Sequence, residues 1–240
     1  MSTSNSTASL ATTTPSVVRP LPTTSVAAAR LAYRASVAFL VLLAALHLLK
    51  PELDPSWRFV SEYSIGRHGW VMVLAFLCLA TSCTGLFVAI RSHIHTTAGK
   101  VGLGLLLLVA AALAAGGVFV MDPITASKDE LTLHGNVHGF AAMIGIPSLP
   151  FAALLISHSL LHNTAWTSER RALRVTAHLT WISLVLMFTT LGITLAQSGG
   201  QFGPSVVIGW PNRLVVIAYA AWLIVVSRRA MRFTSNQPRA

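Results

Sequence analysis

The sequence predicts an all-α fold: a polytopic membrane helical bundle of six transmembrane helices with both termini cytoplasmic. Three observations predict it. Apolar residues make up 54% of the 240 positions and charged residues only 10%, with a mean hydropathy of +0.67. Six stretches, roughly 31–49, 70–91, 100–121, 134–157, 175–197 and 206–227, approach or exceed the ~20 residues that cross a bilayer core. Their Leu, Ala, Val and Gly run without period-two alternation, which favours helices over barrel strands. The third observation is charge. Of the 17 Lys and Arg residues, 12 fall in the N-terminal tail, the second and fourth connections and the C-terminus. The opposite ends receive six of the seven acids, all but Glu169. The positive-inside rule therefore puts both termini in the cytoplasm. The net charge of +10 reads as a topology signal and not as a nucleic-acid footprint.

Residues 1–30 are rich in Ser, Thr, Ala and Pro and contain no acid, a composition that buries too little surface to fold alone. They are expected to form a disordered cytoplasmic tail, followed by a transmembrane domain over 31–230 and a basic tail over 231–240. A transit peptide or a signal peptide fits less well. No small-residue cleavage site separates the first span from Lys50-Pro51.

The first span carries His47 near its outer end. The connection after it, from Lys50 to Trp70, mixes aromatics, hydroxyls and paired charges. Trp57, Tyr63 and Trp70 read as an interfacial aromatic belt, while Ser61 and Asp54 stand near the helix mouths, where a polar site would lie. In the second span Cys78 and Cys83 are five residues apart and so on different sides of the helix, as packing residues. The third span contains Gly102, Gly104, Gly116 and Gly117, small residues that let helices approach closely.

The third span ends in Phe119-Val120-Met121-Asp122-Pro123. A carboxylate in a last helical turn opposes the helix dipole, so Asp122 is expected to need a cation, a histidine or a metal, or else to begin an Asp-Pro turn. The fourth span opens with His134-Gly135-Asn136-Val137-His138-Gly139. Spacing by four puts both imidazoles on one helix face, able to share a metal ion or to hydrogen-bond at the helix mouth. Pro147 and Pro150 further along are expected to kink the helix and free backbone carbonyls. His93, His95, His158, His162 and His178, at the other end of the bundle, read as interfacial filler. With His47, His134 and His138 all at one end, matched-depth ligation of a transmembrane haem is disfavoured.

The last span begins Gly209-Trp210-Pro211-Asn212-Arg213. A cation inside an apolar run needs an anion, and three roles stay open for Arg213: pairing with Asp122 or Glu62, snorkelling outward, or holding the phosphate or carboxylate of a lipid-like molecule.

Taken in order, Ser61-Glu62-Tyr63-Ser64-Ile65-Gly66 running into Gly69-Trp70, the Asp122-Pro123 end, the His134–Gly139 run, and Gly209-Trp210 with Asn212-Arg213 resemble the domain of unknown function 998 family of prokaryotic membrane proteins over about residues 35–230. The resemblance implies six helices and no settled activity. It makes Ser61, Asp122, His134, His138 and Arg213 the recurrent polar positions. A looser likeness, to the alkaline-ceramidase group of membrane hydrolases, which set Ser, Asp and His around a zinc, is analogy only: those proteins have seven helices and a late histidine pair.

Three functions follow as expectations. The first is a metal-assisted hydrolase of a membrane lipid. In it His134, His138 and Asp122, with His47, hold Zn²⁺ that lowers the pKa of bound water to about 7. Ser61 orients the water or the scissile group, and Arg213 stabilises an oxyanion or binds a head group. The second is a non-catalytic transporter, sensor or assembly factor, in which the same residues form a hydrogen-bonded cluster. The third is an isoprenoid isomerase or cyclase with Asp122 or Glu62 as proton donor. All three take the bilayer as partner, in the cell membrane as a multi-pass protein, and an enzyme would take a lipid-like small molecule as its substrate.

Overall fold

The computed structural model describes residues 23–232. It contains the six expected membrane-length helices: α1 (Thr23–Leu49), α2 (Gly69–Ile90), α3 (Thr97–Val118), α4 (Leu133–Leu161), α5 (Arg170–Gln197) and α6 (Gly209–Arg232). Among the described residues there is no strand. The chain is thus a multi-pass membrane protein.

Several helices outrun their apolar stretches because charged ends extend them. α1 starts at Thr23, inside the segment expected to be a tail, and carries Arg30 on its added turns. Residues 1–22 of that segment, and 233–240 of the basic tail, lie outside the described residues. α5 starts at Arg170 and takes Arg171 and Arg174 into the helix. α3 ends earlier than expected, at Val118, with Phe119 as its C-cap. Asp122 therefore sits in the connection and not in a helical last turn, and the dipole argument for a charged partner does not apply to it.

Each helix packs on its sequence neighbours, and α6 closes the ring against α1 while also touching α2. The tightest pairs are α1 with α2 and α3 with α4. Small residues make them so. A Cβ on Gly85 would stand 3.0 Å from the Ala28 carbonyl oxygen, and one on Gly102 3.0 Å from Ile156. Gly104, expected in the same role, has open space beside it. A buried hydroxyl pair, Ser36 and Ser82 at 2.6 Å, adds a polar tie between α1 and α2, and Ser82 donates to the Ala32 carbonyl at 2.9 Å. Cys78 and Cys83 are both free thiols.

α4 and α6, by contrast, barely touch. α4 runs unbroken through Pro147 and Pro150. Pro150 has no N–H to offer the carbonyl four residues back, which belongs to Ile146. The Tyr219 hydroxyl of α6 donates to that carbonyl at 2.5 Å. Tyr219 thus crosses the gap and satisfies the acceptor that the proline leaves, and farther along Trp222 of α6 also crosses, its Nε1 donating to the Ser157 hydroxyl at 3.0 Å.

Candidate functional site

The first, third and fifth connections gather at one end of the bundle, and the candidate residues lie there. α6 enters beneath the first connection: the Gly209 N–H donates to the Ser56 carbonyl at 2.9 Å, and a Cβ on Gly209 would collide with the Pro55 carbonyl. Pro211 suits the first turn, where no intrahelical partner is needed. One turn in, Arg213 is 3% exposed. Its Nε donates to His47 Nε2 at 2.8 Å. One terminal nitrogen donates to the carbonyls of Arg58 at 2.8 Å and Gly209 at 3.0 Å, and the other to the Tyr63 hydroxyl at 3.0 Å. His47 Nδ1 donates in turn to the Leu43 carbonyl at 2.7 Å, so both its ring nitrogens are engaged.

Arg213 does not meet the anions expected for it. Glu62 is buried, and its carboxylate accepts from Arg58 at 2.7 Å and from the N–H groups of Phe59 at 3.1 Å and Ile124 at 3.2 Å. It therefore ties the first connection to the third. Tyr63 is 1% exposed, far from the belt position expected of it, because its hydroxyl is the partner of Arg213. Trp70 does lie outward, 67% exposed. Lys50, also buried, donates to the Tyr63 carbonyl at 3.4 Å and to the Ile65 carbonyl. Asn212 accepts from the Val60 N–H at 2.9 Å. These bonds pin the short 3-10 helix Val60–Ser64 across the end of the bundle as a roof. Hydrogen bonds to charged groups contribute roughly 1.5–3 kcal/mol each, so the roof is firmly held.

Asp122 finds its partner in the third connection. Its two carboxylate oxygens accept from the Thr132 N–H and hydroxyl, both at 2.8 Å. Thr132 is the N-cap of α4, accepting from the Gly135 N–H at 3.0 Å. Asp122 lies so close to Gly135 that a Cβ there would strike its carboxylate. The glycine beside His134 therefore makes room for a cap.

The two α4 histidines part company. His134 is exposed and tilts against Phe119, with ring centroids 5.3 Å apart. His138 is buried. Its Nδ1 reaches the carbonyls of Phe119 at 2.8 Å and Gly116 at 3.0 Å, so it carries the proton and leaves Nε2 as an acceptor. Among the described residues, no three His, Cys, Asp or Glu side chains gather as a set that could hold a metal ion. Of the four residues expected to be ligands, His47 belongs to the Arg213 node, Asp122 to the cap, His134 to the surface and His138 to the interior.

Under the roof lies a chamber. Ser61, His138 and Asn212 contribute polar groups towards the roof, and Phe76, Leu79, Val109, Leu113, Leu149 and Val215 are among the apolar walls. Its volume is about 90 Å³, several times what one water needs. Walls come from α2, α3, α4 and α6, and α5 supplies none. Tyr219, which bridges the α4–α6 gap, is part of the lining. Sequence reasoning gave Tyr63 only an anchor's role, gave Asn212 no role of its own and passed over Tyr219. Asn212 and Tyr219 had a readable signal, a polar side chain within an apolar run.

At the opposite end His93 is buried edge-on against Trp166, 6.0 Å between centroids, and is not interfacial filler.

A family model described as "Protein of unknown function (DUF998)" matches residues 34–229. The chain belongs to this family. The match covers all six helices of this DUF998 protein in whole or large part, together with the roof, the chamber and the Arg213 node. No curated protein and no solved structure matches it.

Proposed function

We propose that this DUF998 protein is a non-catalytic membrane protein of the sensor or transporter class, and that it holds the apolar part of a lipid-like molecule in the chamber. One observation carries the reading: an apolar chamber with Ser61, His138 and Asn212 at its roofed end, beside ionisable groups whose hydrogen bonds are taken up within the protein. Arg213, His47, Glu62 and Asp122 each have protein partners, an arrangement that suits holding a roof in place. His138 Nε2 would accept a hydrogen bond from a ligand hydroxyl or amide, and Ser61 would offer a second contact. We place the molecule in the cell membrane with both termini in the cytoplasm, on the charge asymmetry of its connections.

The hydrolase reading keeps one observation in its favour, that Ser61 and His138 line the same chamber. A single preparation separates the two. Purified protein, in its wild-type form and as His134→Ala and His138→Ala, is analysed for metal content and for co-purifying lipid-like molecules. The binding reading expects a chain-bearing molecule in the wild type and no stoichiometric metal. Stoichiometric zinc that disappears in both variants would overturn it in favour of the hydrolase.

A further inference from the structure

At the end away from the roof, α4 and α5 flank an open groove of about 510 Å³. The α5 side presents Arg170, Arg174 and His178, spaced by four and therefore along one stripe of the helix. The α4 side presents His158 and His162, also spaced by four. All five side chains are exposed. His162 Nδ1 donates to the His158 carbonyl at 2.9 Å, and His178 Nδ1 to the Arg174 carbonyl at 2.7 Å. Each of these two rings therefore meets a ligand through Nε2. No acid lines the groove. Glu169, next to Arg170 in the chain, accepts instead from Arg232 of α6 at 3.3 Å. Three of the histidines read from sequence as scattered filler thus stand together with two arginines.

We infer that this groove binds the phosphate of an anionic phospholipid, with Arg170 and Arg174 on the headgroup and the acyl chains along the α4–α5 seam. Guanidinium forks match phosphate oxygens. The groove's other walls include Leu154, Leu155 and Leu161, and the adjoining outward residues Val175 and Leu179 are 49% and 43% exposed. A cationic mouth continuous with an apolar seam suits an amphiphile better than a free ion. It also lies at the end richest in basic residues, where the positive-inside rule expects the anionic leaflet. This site is separate from the chamber and does not depend on what the chamber holds.

The test uses the full chain in detergent, titrated with phosphatidylglycerol or phosphatidylcholine and read by native mass spectrometry. Phosphatidylglycerol is expected to bind in preference. R170Q/R174Q is expected to weaken its binding about tenfold, whereas R91Q/K100Q, which removes the same charge at the same end outside the groove, leaves it within about twofold. Should the arginine pair fail to fold, R170Q and R174Q are measured singly, each with a several-fold loss expected. Equal binding of the two lipids, equal losses from the groove and off-groove variants, or displacement of the lipid by millimolar inorganic phosphate would each overturn the assignment.

Discussion

Arg213 Nε and His47 Nε2 lie 2.8 Å apart although 166 residues separate them in the chain. Their bond joins the last helix to the first. The same guanidinium reaches the Arg58 carbonyl and the Tyr63 hydroxyl of the first connection, so one buried cation organises three parts of the bundle.

Replacing Arg213 by Met keeps an unbranched apolar stem and removes every donor. The acceptors left behind are buried, and the expected loss of stability is about 2–4 kcal/mol. His47→Gln, which can still offer an acceptor, is expected to cost less than about 1 kcal/mol. Thermal melting of the two variants in one detergent checks the ranking. Equal melting temperatures for R213M and the wild type would show that the node contributes nothing.

The Tyr219–Ile146 bond makes a sharper prediction, because its cause is local. Tyr219→Phe removes the donor and should cost about 1 kcal/mol. Pro150→Ala restores an N–H to the Ile146 carbonyl, so in that background Tyr219→Phe should be close to neutral. A double-mutant cycle measures the difference directly. Additive effects would mean that the tyrosine does not stand in for the missing helical bond.

Gly135→Ala tests the cap of α4. Its methyl group would meet the Asp122 carboxylate, separating it from Thr132 and costing roughly 1–2 kcal/mol, the usual worth of a helix cap. Thr132→Val should destabilise by a similar amount, and the two losses should fall short of additive because they break one unit. Full additivity in melting experiments would contradict the arrangement.

The Glu130 carboxyl, in the third connection, is held below its ordinary value of 4.5 by the Ser127 N–H and then by the Ser127 hydroxyl, 2.8 and 2.9 Å away. A carboxylate with a depressed folded-state pKa stabilises in full above its unfolded value and loses that contribution as pH falls through the folded one. The turn should therefore keep its closed form down to pH 4.5 and open below it. Titration of Glu130 by NMR reports the midpoint, and Ser127→Ala should move it up towards 4.5. A wild-type midpoint at or above 4.5 would count against the bond.

Much of this molecule is legible in its sequence, and the limits have physical causes. The six helices follow from apolar runs, because a bilayer admits few other solutions. Asp122, His138 and Arg213 stand out because polar groups in such a setting need partners. Which partner each one takes does not follow from spacing. Asp122 turns to Thr132, ten residues away and near in sequence, while Arg213 turns to His47 and Tyr63, more than a hundred residues distant. The former needs the point where α3 stops and the latter the closure of the helix ring, and neither is a local property. The roof illustrates both limits: Tyr63 looks like an interfacial anchor until Arg213 is set beneath the first connection.

The chamber's occupancy is the central claim, and blocking it tests that claim most directly. Ala142 lies in its wall on α4 and is only partly buried, so Ala142→Phe fills the space with little cost to the fold. Lipid-like molecules retained after purification are quantified by mass spectrometry for this variant and for the wild type, at matched melting temperatures. The account predicts a retained chain-bearing molecule in the wild type and its loss in A142F. Equal retention by both, or a wild type that carries nothing, would contradict it.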